Sequence, residues 1–526
     1  MQYLSVYALF ADRVRKYAGD VFYFRNGDSW EGISWQRFEQ ETYDFATALL
    51  SLDLKRGGTI CILMGNVPEW PISDIGTIIA GGIGVGLYPT SSAEQITYII
   101  NHSDAEFVVV DSRDQLQKVL SVREQLPKVR HIIVLDRVDA NGVISYRDFI
   151  ARGKAERARL APLLQERAES AKPDDIAIMV YTSGTTGPPK GACLSHRYII
   201  NSVESLRQTI PIYATDVSFS YLPFCHVAER ISGLYNRLYA GASAYFVDDL
   251  ARLGEYMLEV KPTVFASLPR FFEKIYARIV SDGATNVKDY FGGRIRLATS
   301  GGAPLPLEVA EFFAAAGLPI LQAYGLTENV CVAFNRPDNY KFGTVGPALP
   351  GCEVRIADDK EILVRSEMMF SGYYKAPEET AKMFADGWLL TGDLGEVDED
   401  GFLKIIGRKK ELIVTSTGKK IAPALLENML KENHLISQAM VYGEGRSYLV
   451  ALITLNGPAE RETVQAIIDN VNRRVSSTES IKRFAILGRD FEIARDEITP
   501  TGKLKRDVIA NRFRDVLDKL YTDKHR

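Results

Sequence analysis

Strand-like and helix-like periods alternate along this chain, and that alternation constrains its fold more than any other feature. The runs TICILMGN from Thr59, AEFVVVDS from Ala105 and RHIIVLD from Arg130 are short and apolar, as strands buried on both faces require. SWQRFEQETYDFATALLSL, from Ser34, spaces its apolar residues at helical intervals instead. The pattern predicts an α/β fold, with parallel sheets and helices on their faces. IGTIIAGGIGVGLYPT, from Ile75, predicts a helix followed by a buried strand, and is too short and Gly-rich to span a membrane. The first twenty residues predict a short amphipathic helix without the basic and apolar regions of a secretory leader, so a cytoplasmic protein is expected.

At 526 residues the chain is long enough for about three domain-sized units. A net charge of -4 gives no reason to expect nucleic acid as a partner. The five cysteines form no Cys-x-x-Cys pair and read as small apolar core residues in a reducing compartment.

A later βαβ unit begins at Ile295: IRLATSGGAPLPLEVAEFFAAAGLPILQAYGLTEN. Pro306 suits its helix start and Gly317 its stop. In a parallel sheet both loops, Ser300–Ala303 and Tyr324–Glu328, emerge at carboxyl ends of strands, where open α/β sheets bind ligands. From Gly387 the character changes to a hairpin turning at Asp400-Gly401. A smaller α+β unit follows, with a boundary expected near Arg408–Lys410.

YTSGTTGPPKG, from Tyr181, is rich in residues that hold phosphate. Its glycines let backbone N–H groups approach an anion, its hydroxyls donate, and Lys190 neutralises charge. It is not a Walker loop. No hydroxyl follows Lys190, and GACLS after it reads as a strand, with a helix starting only near His196.

Taken together, YTSGTTGPPKG, QAYGLTEN, LLTGDLGEVDEDGFLKIIGRKKELI and ITPTGKLKR resemble the adenylate-forming superfamily, in family order from about Pro68 to Arg506. GNVPEW, LYPTSSAEQITYIINHSDA and SYLPFCHVAER make the chain most similar to bacterial long-chain fatty acyl-CoA synthetases. The resemblance implies a large N-terminal domain (1–409) of doubly wound sheets with a β-barrel-like subdomain. It also implies a small mobile C-terminal domain (410–526). It further implies ATP- and Mg²⁺-dependent conversion of a fatty acid to acyl-AMP, then transfer to CoA.

Site residues follow from the same resemblance. Thr182, Ser183, Gly184, Thr185, Thr186, Gly187 and Lys190 are expected around the β- and γ-phosphates. Glu328 is expected to hold Mg²⁺, which suits a hard carboxylate, or else to cap a helix. Thr327, with Gly325 in the same motif, is expected at the α-phosphate. Tyr324 is expected to stack on adenine opposite Gly301, Gly302 and Ala303, or else to pack the core. Asp393 is expected to accept from the ribose hydroxyls, and Arg408 to assist or to form a hinge salt bridge. Lys503 is expected to act in adenylation, Lys410 as hinge, and Val414 in no catalytic role. His226 fits either a structural position or one between acyl pocket and thiol channel. Val330, Cys331 and Val332 are candidate acyl-tunnel lining, and Trp70 reads as core.

Other readings remain open. They are acyl-AMP transfer to a carrier protein, a medium-chain or aryl acid as substrate, a luciferase-like oxidation, and a non-catalytic nucleotide-binding scaffold. A fatty acid substrate also implies transient contact with the inner face of a membrane.

Overall fold

The computed structural model describes residues 2–136, 142–182, 188–284, 286–499 and 502–522. Its largest sheet has seven strands in the order Val143–Ser145, His131–Val134, Ala105–Val110, Thr59–Leu63, Ile83–Gly86, Ile176–Thr182, Lys190–Ser195. All neighbours run parallel except the last pair. The apolar runs have a direct cause. Ile60 and Ile62 enter one hydrophobic cluster, while Cys61 and Leu63 enter another on the opposite face. Both faces are therefore dry, and every residue of Thr59–Leu63 is buried.

The helices form where their sequences predict. Trp35–Ser51 starts at Ser34, whose hydroxyl accepts from the Arg37 backbone N–H at 3.1 Å. His196–Thr209 starts at Ser195 in the same way and buries His196, Tyr198, Ile199, Ile200 and Val203.

A four-stranded sheet orders Val217–Ser220, Ser243–Phe246, Asp20–Asn26 and Ser29–Ser34. Another orders Val264–Ser267, Leu297–Ser300, Ile320–Leu326 and Asn329–Phe334. Within it Leu297–Ser300 and Ile320–Leu326 are parallel neighbours, so the two loops after them emerge side by side. Cys352–Arg408 form a five-stranded antiparallel sheet instead of the barrel-like subdomain expected from the sequence. Among the named strands Leu403–Arg408 pairs with Trp388–Val397, Leu403 also exchanges backbone hydrogen bonds with Val345 and Gly346, and no strand pairing among the described residues closes the sheet. The structure is thus α/β with an open sheet in that position.

The last part of the chain holds a three-stranded sheet, Ile436–Tyr442, Leu449–Leu455 and Ile481–Ile486, with helices including Pro423–Lys431 and Arg461–Arg473. Its two hydrophobic clusters draw only on residues from Ile413 onward. Arg270, in helix Pro269–Asp282, reaches across to this part. Its guanidinium donates to the Ser437 carbonyl at 3.1 Å and the Ser437 hydroxyl at 2.9 Å. Among the described residues no helix is long and apolar enough to cross a membrane.

Candidate active site

Asp393 and Arg408 are cross-strand partners in the ladder between Trp388–Val397 and Leu403–Arg408. Arg408 Nε donates to Asp393 Oδ1 at 2.8 Å, and the Tyr324 hydroxyl donates to Asp393 Oδ2 at 2.7 Å. A buried carboxylate is costly without partners, and Asp393 is 4% exposed. These two donors offset that cost. Each oxygen keeps room for a second hydrogen bond. Arg408 does form a salt bridge, as one reading of the sequence allowed, but its partner is the candidate ribose ligand itself. Tyr324 is half-buried and packs beside the core. Its tied hydroxyl anchors the far end of the side chain.

The turn after Tyr324 is tightly specified. A Cβ at Gly325 would lie 1.9 Å from the Val330 carbonyl oxygen, so only glycine fits. The fully buried Tyr198 stitches the turn to the core. Its hydroxyl donates to the Thr327 carbonyl at 2.9 Å and accepts from the Val330 N–H at 3.0 Å. Glu328 caps no helix, because it stands in the turn of a hairpin. The Tyr373 hydroxyl donates to Glu328 Oε1. Across the cleft Gly302 adopts a left-handed φ of +80°, and Gly301 lies close to Ala323, so the Gly301–Ala303 loop sits beside the Tyr324 segment.

Lys190 pairs with Thr182 across the antiparallel ladder. Its amine forms an ion pair with Glu379 and lies 5.3 Å from the centre of the Tyr373 ring. Ser183, Gly184, Thr185, Thr186 and Gly187 lie outside the described residues. Tyr373 reaches the site because residues 371–374 extend the large sheet at this edge. The Cys193 N–H donates to the Gly372 carbonyl at 2.9 Å and the Tyr374 N–H to the Gly191 carbonyl at 2.8 Å.

Lys503 enters from the small C-terminal part. The Thr499 N–H donates to the Lys503 carbonyl at 2.8 Å, the Lys503 N–H donates to Thr499 Oγ1 at 3.0 Å, and Gly502 takes a left-handed φ of +79°. Beside it Arg506 forks onto both oxygens of Glu427 at 2.7 and 2.6 Å. The Lys503 side chain stays accessible to water, yet protein crowds it on several sides. That crowding, then Arg408, pulls its pKa below the usual lysine range, while Asp393, Glu411 and Glu328 pull it back. His226 faces the same space. Burial, then the Lys503 charge, lowers its pKa to about 4. Its Nδ1 accepts from the Ala228 N–H at 3.2 Å, which leaves the proton of the neutral ring on Nε2.

The structure therefore gathers Tyr324, Glu328, Asp393, Arg408, His226 and Lys503 around one cleft, with Lys190 and Tyr373 at its Glu328 side. Among the described residues no group of three or more His, Cys, Asp and Glu could enclose a metal. A single partly satisfied carboxylate still fits Mg²⁺, which takes one or two carboxylates and completes its shell with water and phosphate oxygens. Trp70, Cys331 and Val332 are buried in the main core and Val330 packs beside it. Sequence reasoning missed Tyr198, Tyr373 and Glu379. SGYYKAPEE, from Ser371, carries the last two, but only the pairing with Gly191–Cys193 shows that they face Lys190 and Glu328.

Lys410 is exposed in the single turn Lys409–Glu411. Its neighbours are tied in opposite directions. Lys409 binds Asp359 at 2.6 Å and Glu361 at 2.7 Å, whereas Glu411 faces Arg506 at 3.5 Å.

Known proteins resemble this chain over most of its length. The chain is 32% identical to the long-chain-fatty-acid–CoA ligase FadD15 of Mycobacterium bovis, covering 94% of this chain and 92% of that one. It is 29% identical to the long-chain-fatty-acid–CoA ligase ACSBG2 of Xenopus laevis, covering 99% and 84%. Among solved structures, the anthranilate CoA ligase AuaEII with anthranoyl-AMP superposes with a TM-score of 0.85 at 22% identity, covering 98% and 99%. ATP-bound MatB from Rhodopseudomonas palustris gives 0.79 at 23%, covering 97% and 99%. Residues 10–374 match the AMP-binding enzyme model and residues 410–525 match the AMP-binding enzyme C-terminal domain. With that match running over most of its length, the chain belongs to the AMP-binding enzymes.

Proposed function

We propose that this enzyme activates a long-chain fatty acid with ATP, forming acyl-AMP and pyrophosphate, and passes the acyl group to CoA with release of AMP. One observation carries the reading: the amine of Lys503 shares a cleft with Asp393, Arg408, Glu328 and His226, contributed by separate segments. The similarity to long-chain-fatty-acid–CoA ligases supports the acyl class.

In the first step the fatty acid carboxylate attacks the α-phosphorus and pyrophosphate leaves. Negative charge accumulates on phosphate oxygens, so fixed cations and donors accelerate the step. Lys503 stands where it neutralises the carboxylate and α-phosphate, with Thr327 as a donor. Asp393 and Arg408 orient the ribose, Tyr324 and the Gly301–Ala303 loop enclose the base, and Lys190 meets the outer phosphates. Glu328 would hold Mg²⁺, which when bound neutralises phosphate charge. In the second step the CoA thiol attacks the acyl carbon and AMP departs. His226, neutral and with Nδ1 occupied, presents Nε2–H as a donor.

We also propose that residues 410–526 turn about Lys410 between the steps. Lys409 stays with the large part and Glu411 with the small one, so the change of direction falls between them.

The test is AMP release with ATP, Mg²⁺ and palmitate, with and without CoA, on wild type and Lys503→Ala. The expected result is CoA-dependent AMP release, largely lost in the variant. Preference for acetate or benzoate over long chains would refute the acyl class. Palmitate-dependent pyrophosphate exchange without turnover on CoA would point to a carrier protein as acceptor.

A further inference from the structure

A cavity of about 290 Å³ opens beside the first helix, Val6–Lys16, and none of its lining residues belongs to the site above. Arg13, Lys16 and Arg207 line it together with Tyr17, Tyr213 and Tyr239, and its lining contains no carboxylate. Arg13 is 4% exposed, and its Nη2 donates to the Tyr3 hydroxyl at 2.5 Å. Its buried Nε makes no hydrogen bond but forms an ion pair with Asp12 at 3.4 Å. That carboxylate already accepts from the Tyr3 hydroxyl at 2.7 Å. The guanidinium of Arg13 lies 5.0 Å from the centre of the Tyr239 ring and that of Arg207 lies 4.8 Å from the same ring. Two like charges thus share one aromatic ring. Glu204, also near this ring, already accepts from the Gln2 N–H at 2.5 Å.

Asp12 and Glu204 supply negative charge beside Arg13 and the Tyr239 ring, but neither lines the cavity, so Lys16 and Arg207 present their charge to a wall without carboxylates, where an added anion is attracted. Guanidinium groups bind phosphate oxygens in a fork, and a dianion answers three cations better than a carboxylate does. The phenol rings suit an organic group attached to the phosphate. We propose that this cavity binds a phosphomonoester. Such a group comes from a soluble phosphate ester or from the headgroup of an anionic lipid. Tyr213, 55% exposed, and Ile212 add apolar surface to the lining.

The test uses the full chain, wild type and the double variant Lys16→Glu/Arg207→Glu, both at exposed positions. Folding is checked by thermal melting and by fatty acid-dependent AMP release, which should not change. Calorimetric titration with phenyl phosphate reads the soluble source. Co-sedimentation with phosphatidylcholine vesicles, with and without phosphatidic acid, reads the lipid source. The expected result is binding of at least one probe by the wild type, weakened about tenfold or more in the double variant. A Lys190→Ala variant should retain it, which separates the cavity from the ATP site. Failure of the wild type to bind either probe, or equal binding by the double variant, would overturn the proposal.

Discussion

Asp393 and Arg408 stand opposite each other on adjacent antiparallel strands, and the guanidinium Nε lies 2.8 Å from the carboxylate. Arg408 is the last residue of its strand, one position before the Lys409–Glu411 turn. The candidate ribose ligand is therefore held by the residue that leads out of the large part of the chain. Replacing Asp393 by Asn keeps the shape but exchanges an acceptor for a donor. The KM for ATP should rise about tenfold, and preference for ATP over 2′-deoxy-ATP should collapse. Steady-state kinetics with both nucleotides checks this; unchanged discrimination would remove Asp393 from ribose recognition.

Tyr373→Phe deletes the hydroxyl that holds one oxygen of Glu328. A carboxylate without that donor loses its orientation, so half-saturation with Mg²⁺ should need severalfold more metal, about 1 kcal/mol in binding. A Mg²⁺ titration at fixed ATP decides it, and an identical curve counts against Glu328 as the metal ligand.

If Lys190 meets the outer phosphates as proposed, Glu379 competes with them, because it already pairs with the Lys190 amine. Hydrogen bonds from Lys190 and Lys382 hold its carboxyl at about 2, so it stays ionised at working pH. Glu379→Gln should release Lys190 and lower the KM for ATP a few-fold, with little change in kcat. A raised KM would mean that the pair orients Lys190 for binding.

His196 should make folding sensitive to acid. It is 4% exposed, its Nδ1 accepts from the Val6 N–H at 3.2 Å, and burial lowers its pKa from 6.5 to about 4. The unfolded chain takes up this proton below pH 6.5, and the folded one only near pH 4. Its contribution is therefore fully present above pH 6.5 and falls as pH drops towards 4. The loss between pH 7.5 and 5 is about 2 kcal/mol. Thermal melts of His196→Asn at both pH values should show a smaller drop than wild type.

Asp74 and Arg230 are both fully buried, and the Tyr235 hydroxyl donates to Asp74 at 2.7 Å. Asp74→Ala leaves a charge without a partner and should cost about 3–5 kcal/mol. The double change Asp74→Ala/Arg230→Met should recover much of the melting temperature. Melts of the three proteins test this.

The sequence shows most of the frame because local rules decide it. Thr59–Leu63 is apolar throughout because two cores flank it, and Ser34 and Ser195 mark helix starts by satisfying free N–H groups. The loop after Ser300 and the turn after Tyr324 are adjacent because parallel strands place them so. Tyr198 escapes sequence reasoning because its partners lie 129 and 132 positions away and nothing around it marks a site. Tyr373 escapes for the same reason, since its place depends on an edge pairing with Ala192. The sheet of Cys352–Arg408 remains open because closure depends on pairing between distant edges, which alternation within each strand does not specify.

Lys409 and Glu411 are fastened to different parts of the chain, which leaves Lys410 alone between two knots. A linker of many residues would let the small part wander through a volume. One residue offers two dihedral angles, so with the proposed hinge the small part would turn but hardly slide. Its path would then be a swing about that one residue, and Lys503 would leave and re-enter the cleft from a narrow range of directions. On such a swing, the order in which pyrophosphate departs and thiol arrives becomes a matter of geometry as well as affinity.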